Sequence, residues 1–436
     1  MNDKINISLK AEIEKIINLY KKKNFKLAFD QCNILIEKNG DIPFLLNLNG
    51  LINLSLENWQ DALNCFKKTL KNNDKFFEAY NNLGVTYSHL GNYEGAIKNF
   101  NKAIELNNNY ANAYNNLGSH YDDFGNYSLA SEYYIKALKC NSNHPNAIKN
   151  LIHLFNYHKI DNLDGNLIVD LNKKILNFNP KINLKDKIST SEICIFIKDS
   201  IDLLKENSIK IDSTESQIYR TNGKNLNCNR HKEVFFKYKI IPEFCYGCLK
   251  VQIELKNVLQ LIKVFFIFDH VELPQNNIRK CFIEFRENEK ENYKALIYCS
   301  DINDANNVYK IISEILNISL KNFTIKIKRG CSEFDSAFPG YKDISKMDKI
   351  IYNKDWKKKE KLIDVKIAKG SQKGKKYFAK SMNGINLGDI LIINNWLNYA
   401  KIIGDVSYKK ITSNLIHVNH ISVALKNIPK NLINNI

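Results

Sequence analysis

One internal repeat constrains this chain more than any other feature. The segment AYNNLGVTYSHLGNYEGAIKNFNKAIEL at 79–106 recurs 34 residues later as AYNNLGSHYDDFGNYSLASEYYIKALKC at 113–140. Matched pairs include Tyr80/Tyr114, Leu83/Leu117, Gly84/Gly118, Tyr87/Tyr121, Ala96/Ala130, Phe100/Tyr134 and Ala103/Ala137. A fixed period of this length marks a supersecondary unit that cannot bury its apolar face alone and must stack on copies of itself. Gly50, Ala62 and Phe66 carry the register back to residue 43, and Ala28 and Cys32 carry it weakly to about residue 9. The small residues let two antiparallel helices approach, and Tyr87 and Phe100 fill the space between them. A helix over 145–158, with Ile148, Leu151 and Phe155 in the same phase, is expected to close the stack.

These residues resemble the tetratricopeptide repeat (TPR) family. The resemblance implies an all-α solenoid over 9–158 and a protein or peptide held in its concave groove. Asn82, Asn116 and Asn150 fall 34 residues apart on the first helix of each repeat, with Asn81 and Asn115 beside them. This is similar to the asparagine ladder in the TPR superhelix of O-linked N-acetylglucosamine transferases. An amide both donates and accepts, so it pairs with a peptide group whatever the side chain. Leu48 interrupts the series in the repeat at 43–76, and Asn is common in this chain, 63 of 436 residues.

The length allows two or three domains. The N-terminus MNDKINISLK has no apolar segment behind a basic one, and no run reaches the roughly 18 apolar residues a membrane span needs. A cytoplasmic location is the expectation, and there ten cysteines are core residues, metal ligands or reactive thiols rather than disulfides. The net charge of +18 comes from a chain dominated by Lys, Asn and Ile, which weakens it as a nucleic-acid signal. Arginine is more informative: Arg220, Arg230, Arg279, Arg286 and Arg329 are the only five. Its planar fork suits carboxylate, phosphate or stacking contacts, or structural ion pairs.

Residues 159–218 read as a helical connector, with Ser189 and Glu192 as a capping box for a helix to about Lys205. Over 219–340 the period changes. Strands are expected at 248–255, 279–286, 293–300 and 323–330, with helices at 256–270 and 302–317. The order β-α-β-β-α-β is the ferredoxin-like arrangement, usual strand order 4-1-3-2. The fold class is therefore α+β multidomain: an all-α TPR solenoid followed by a ferredoxin-like module with a Cys/His cluster. In that topology Cys245, Cys248, Cys281, Cys299 and Cys331 collect at one sheet edge. Arg279 and Arg329 sit there too, as candidate anion ligands.

The stretch CNRHKEVFFKYKIIPEFCYGC at 228–248 holds Cys-x-x-His and Cys-x-x-Cys. Cys228, His231, Cys245 and Cys248 are four soft donors of the kind tetrahedral zinc takes, with Pro242 favouring the turn. Cys299 and Cys331 are alternative ligands, and four thiolates could instead hold an iron–sulfur cluster. A redox Cys-x-x-Cys normally opens a helix, whereas this one leads into a strand.

The opposite sheet face would carry Lys250, Lys280, Phe282, Arg286, Lys294, Tyr298, Lys326 and Lys328, which admits an RNA-binding reading. The bland alternative is a solvated lysine face. Recognisable enzyme motifs are missing, although Arg329, Cys331, Glu333 and Asp335 could form an active site at the cysteine edge. Residues 341–380 read as a basic linker, with eleven Lys against three acids over 352–380, and 381–436 as a folded extension. The whole chain is similar to TPR-containing proteins of marine bacteria with AT-rich genomes, a resemblance that implies no activity. The expected function is an adaptor: a peptide in the TPR groove and a zinc-stabilised second module. The alternatives are an enzyme that recruits protein substrates through the arm, or an RNA-binding module.

Overall fold

The computed structural model describes residues 2–160, 165–207, 215–221, 228–275, 277–285, 291–331, 333–344, 351–370 and 380–418. Arg286, residues 371–379 of the basic segment and residues 419–436 lie outside these. The chain divides into two compact units, residues 1–151 with 368–377, and residues 152–367 with 378–436.

The first unit is a run of antiparallel helix pairs: α1 (Asn2–Lys21) with α2 (Phe25–Asn39), α3 (Pro43–Ser55) with α4 (Trp59–Asn72), α5 (Phe77–His89) with α6 (Tyr93–Leu106), and α7 (Ala111–Asp123) with α8 (Tyr127–Cys140). Helix α9 (Pro145–Leu154) follows, so α3, α5, α7 and α9 each begin 34 residues after the one before. The repeated glycine is a close-approach position. A Cβ on Gly84 would stand 2.6 Å from the Phe100 ring, and one on Gly118 would stand 2.7 Å from Tyr134. Gly50 faces Phe66 in the same way.

The turn inside each pair is a second feature with the 34-residue period, and the first two pairs make it without glycine. Lys23, Glu57, Gly91 and Gly125, again 34 apart, all have positive φ, at 61°, 61°, 80° and 75°. Glycine accepts this conformation without steric cost, whereas Lys23 and Glu57, both exposed, take it where main-chain bonds from Asn24 N to Leu19 O and from Asn58 N to Asn53 O close the helix end. An asparagine follows each, and Asn92 and Asn126 cap the next helix by accepting from the main-chain N–H of Gly95 and Leu129. Part of the asparagine excess is therefore cap chemistry.

The second unit contains α10 (Leu167–Phe178), α11 (Thr190–Glu206), β1 (Gln217–Arg220), α12 (Cys228–Tyr238), the short α13 (Glu243–Gly247), β2 (Leu249–Leu255), α14 (Val258–His270), β3 (Arg279–Ile283), β4 (Tyr293–Cys299), α15 (Ile302–Ser319), β5 (Thr324–Arg329), α16 (Lys354–Gly370) and α17 (Leu387–Ile402). Ser189 Oγ accepts from Glu192 N at the start of α11. The sheet order is β1-β3-β4-β2-β5, with every neighbouring pair antiparallel. Leu249, Val251, Ile253 and Leu255 are buried under α14 and α15, and α14 is apolar on nearly its whole circumference.

The span expected to be a basic linker holds α16. Its Ile363 is buried with Val234 of α12 and Ile240, so Lys357, Lys358 and Lys361 are on the outer face of a packed helix rather than a solvated tether. Helix α17 docks through its capping box, in which Asn386 and Asp389 satisfy each other's main-chain N–H groups, and through Trp396, which donates to Ser216 O at 2.8 Å. The strongest tie is Arg220 at the end of β1. It donates to Asp269 Oδ1 of α14 at 2.5 Å and to Asp389 Oδ2 of α17 at 2.7 Å, with its guanidinium over the Phe265 ring. Burial opposes the Arg220 charge, but Asp389 and Asp269 outweigh it and hold the guanidinium above its ordinary range.

Candidate functional site

The asparagines of the first helices form one directed chain. Asn150 donates to Asn115 Oδ1 (3.1 Å), Asn115 to Asn116 Oδ1 (3.3 Å), and Asn116 to Asn81 Oδ1 (2.9 Å). Asn81 then donates to Asn82 Oδ1 (3.3 Å), and Asn82 to Asn47 Oδ1 (3.0 Å). Links between repeats therefore run from the second asparagine of one pair to the first asparagine of the preceding pair. Leu48 ends the series of second asparagines, but Asn47 still supplies the terminal acceptor. This partner lies off the single file along 82, 116 and 150.

Each amide keeps a second N–H and a second oxygen lone pair beyond these bonds. Bonds aligned in one direction polarise one another and hold the row rigid. Asn116 also lines a cavity of about 450 Å³ built from Val85, Ser88 and His89 of α5, Tyr93 and Phe100 of α6, Ser119, His120 and Asp123 of α7, and Phe124. Tyr93 and Phe124 meet edge to face at 4.7 Å, and Trp59 stacks on His89 at 4.0 Å. Burial holds the His120 imidazole below its ordinary pKa, so it is neutral at pH 7.

In the second unit the two expected arginines lie at the sheet edge, but both are buried and donate to main-chain carbonyls. Arg329 donates to Tyr246 O and Tyr341 O and stacks on the Tyr341 ring, while Arg279 donates to Val271 O. These bonds tie both guanidinium groups to the main chain at that edge.

The thiols separate by strand alternation. Cys299 pairs with Leu249 on the helix-covered face, and its Sγ lies against Asn277 Nδ2 and Ile297 O. Cys281 is fully buried beneath the helices, as an apolar residue would be. On the other side of the turn, Gly330 N donates to Cys248 O, and a Cβ on Gly330 would collide with Cys248 Sγ. Cys245 and Cys331 lie within hydrogen-bonding reach of each other. His231 stacks on Phe244 at 5.3 Å and is kept neutral by burial and by Arg230. Among the described residues no three Cys, His, Asp or Glu groups already stand as a metal-holding set.

The proposed RNA face is largely committed to internal contacts. Phe282, Lys294 and Leu296 are buried, Lys326 pairs with Glu254 at 2.5 Å, and Lys280 lies over the Tyr219 and Phe282 rings. At the suggested active site, Asp335 pairs with Lys342, and the 3-10 turn Glu333–Ser336 packs through Phe334. No helix among the described residues is long and apolar enough to cross a membrane.

Among curated proteins nothing matches the sequence. Similar solved structures include MamA, at 25% identity over 32% of this chain and 81% of that one, TM-score 0.28. A thermophilic TPR protein of Thermus thermophilus aligns at 19% identity over 34% and 81%, TM-score 0.32. YrrB, described as a TPR protein with an unusual peptide-binding site, aligns at 18% identity over 33% and 74%, TM-score 0.27. The tetratricopeptide repeat family model matches residues 75–143. That segment is tetratricopeptide repeat, a fold whose members generally mediate interactions between proteins.

Proposed function

We propose that the protein is an adaptor whose N-terminal arm holds an extended peptide of a partner protein. The observation that carries this is the directed row of asparagines running into the Asn116-lined cavity. A peptide backbone offers an N–H and a C=O at each residue, and Asn116 and Asn150, the half-buried members of the row, offer complementary groups already oriented, braced by the buried Asn47, Asn81, Asn82 and Asn115. Ordering them in advance lowers the entropic cost of binding. The cavity then takes one side chain of that peptide. Its lining includes the carboxylate of Asp123 and the rings of Tyr93 and Phe124, and neither Lys nor Arg, in a chain that has 64 of them. This composition suits a lysine or arginine side chain, whose charge meets Asp123 and whose stem lies along the rings.

The second unit is proposed to be a ferredoxin-like module that contacts another partner and is stabilised by zinc. The order of its last four strands, 4-1-3-2 in their own numbering, supports that topology. Fluorescence anisotropy with extended peptides carrying Lys, Ala or Glu at one position tests the groove. Asn116→Ala and Asp123→Asn should each weaken capture of the Lys peptide, with helicity unchanged. Equal affinity for the Lys and Glu peptides would refute the choice of side chain, and unaltered capture by both variants would refute the groove.

A further inference from the structure

We infer that the outward face of α16 is a docking surface for an anionic lipid bilayer, on which the helix lies without crossing it. This surface is independent of the peptide groove and of any metal in the second unit. Residues 354–376 hold ten lysines against three acids. How much of that charge acts on a partner depends on what the acids are already doing. Glu360 and Asp364 are engaged by Arg230 of α12, and Glu360 also accepts from Glu243 N and Tyr352 Oη. Asp355 pairs with Lys359 one turn along the helix. Lys354, Lys358 and Lys361 are exposed and have no carboxylate partner among the described residues. The acids are therefore neutralised by other groups, and the outer lysines keep their field.

Apolar side chains stand among these lysines. Lys354, Lys358, Lys361 and Val365 follow one another at spacings of four, three and four, which puts them in one stripe, and Leu362, four after Lys358, lies beside it. Leu362 is 59% exposed and Val365 is 51% exposed. Rolling the helix to hide them is prevented by its opposite face, where Ile363 is buried with Val234 and Ile240, and Trp356 meets Phe338 edge to face at 5.3 Å. Ile351, just ahead of the helix, is the most exposed large apolar side chain among the described residues. Lysine and apolar groups interleaved on one stripe match the headgroup region of a bilayer. The ammonium groups reach the lipid phosphates while their methylene stems, Leu362 and Val365 enter the acyl boundary. A nucleic-acid backbone would meet the charge but offers nothing to Leu362 or Val365. Arginine, whose planar fork suits fixed phosphates and base edges, is absent from α16. The undirected charge of lysine suits a fluid surface whose phosphates move to meet it.

Co-sedimentation of the full chain with vesicles of phosphatidylcholine and phosphatidylglycerol in equal parts should show binding that phosphatidylcholine vesicles lack. Added salt should weaken it by screening exposed charges. Each lysine near such a surface is worth about fivefold in affinity, so Lys354→Gln with Lys358→Gln and Lys361→Gln should bind about a hundredfold more weakly. Leu362→Gln with Val365→Gln keeps every charge and should bind about tenfold more weakly. Lys67→Gln with Lys68→Gln and Lys71→Gln removes the same charge from exposed positions on α4 and should bind like the wild type. All the substituted side chains are exposed, so thermal melting should be unchanged. If an α16 variant does not fold, the wild type on the two kinds of vesicle and the α4 variant still decide. No binding of the wild type to the anionic vesicles would overturn the surface. So would equal losses in the two lysine variants, or full binding by Leu362→Gln with Val365→Gln. Tighter binding to double-stranded RNA, lost with the α16 lysines and kept without Leu362 and Val365, would assign the face to nucleic acid instead. No peptide is present in the assay, so its outcome stands apart from that of the groove.

Discussion

Replacing Arg220 with Met should be the most damaging single substitution in the second unit, and the deficit should depend on pH. Arg220 is 3% exposed and its partners Asp269 and Asp389 are each 2% exposed. In addition to binding Arg220, Asp269 accepts from Gly384 N and Asp389 accepts from Asn386 N. Removing the guanidinium leaves two buried carboxylates without their closest counter-charge, at a cost of about 3–5 kcal/mol. With a urea slope near 2 kcal/mol per molar, the midpoint should fall by about 2 M. Trp396, buried against Phe265, reports the transition by fluorescence. Without Arg220 burial is unopposed at Asp389, which then titrates higher in the folded state than in the unfolded one. Its neutral form is favoured by folding, so the deficit should shrink as pH falls below that raised value and be largest at neutral pH. In the wild type burial already raises Asp389, with Arg220 opposing it. Combining Arg220→Met with Asp269→Asn and Asp389→Asn should restore most of the lost stability at pH 7. A loss under about 1 kcal/mol, far below the 3–5 expected for an orphaned buried charge, would refute this account, as would a triple variant no better than the single.

Other expectations follow from the repeat geometry and from α16. Gly84→Ala gains helix propensity of about 1 kcal/mol but drives a methyl into Phe100, which is 2% exposed and cannot swing away, so a net loss of about 1–2 kcal/mol should appear in denaturant titration. Glu57→Gly relieves about 1–2 kcal/mol of left-handed strain and forfeits about 0.5–1 kcal/mol of chain entropy, so it should be neutral to slightly stabilising. Gly125→Glu, at the equivalent position, should destabilise the arm in the same assay. Arg230 donates to both oxygens of Asp364 and to Glu360, and Glu360 also accepts from Glu243 N and Tyr352 Oη. Arg230→Ala should cost about 1–3 kcal/mol and speed proteolysis between α15 and α16, whereas unchanged cleavage would mean that Ile363 packing alone holds the helix.

The repeat arm was legible because its determinants are local and periodic. Gly84, Phe100, Ala96 and their counterparts at 34-residue spacing dictate the helix pairing wherever they occur, and the strands β2 to β5 announced themselves by alternation for the same reason. The first repeat was faint because Ile16 stands where Gly50, Gly84 and Gly118 mark the others, and Lys23, like Glu57 in the second, occupies a turn position that glycine marks at 91 and 125, so that only the fold reveals the shared backbone. Helix α16 was hidden by its own lysines, since one buried face carrying Ile363 is a weak signal inside a strongly charged run. The asparagine row was visible as residues but not as a network, because its bonds join position 82 to 47 and 116 to 81, a step set by how adjacent helices slide past each other. The cysteines show the division most clearly. Spacing alone paired Cys228 with His231 and left Cys299 and Cys331 equivalent. Which thiols share a side depends on strand register and on the close approach of Gly330 to Cys248, and these exist only once β2 and β5 lie side by side.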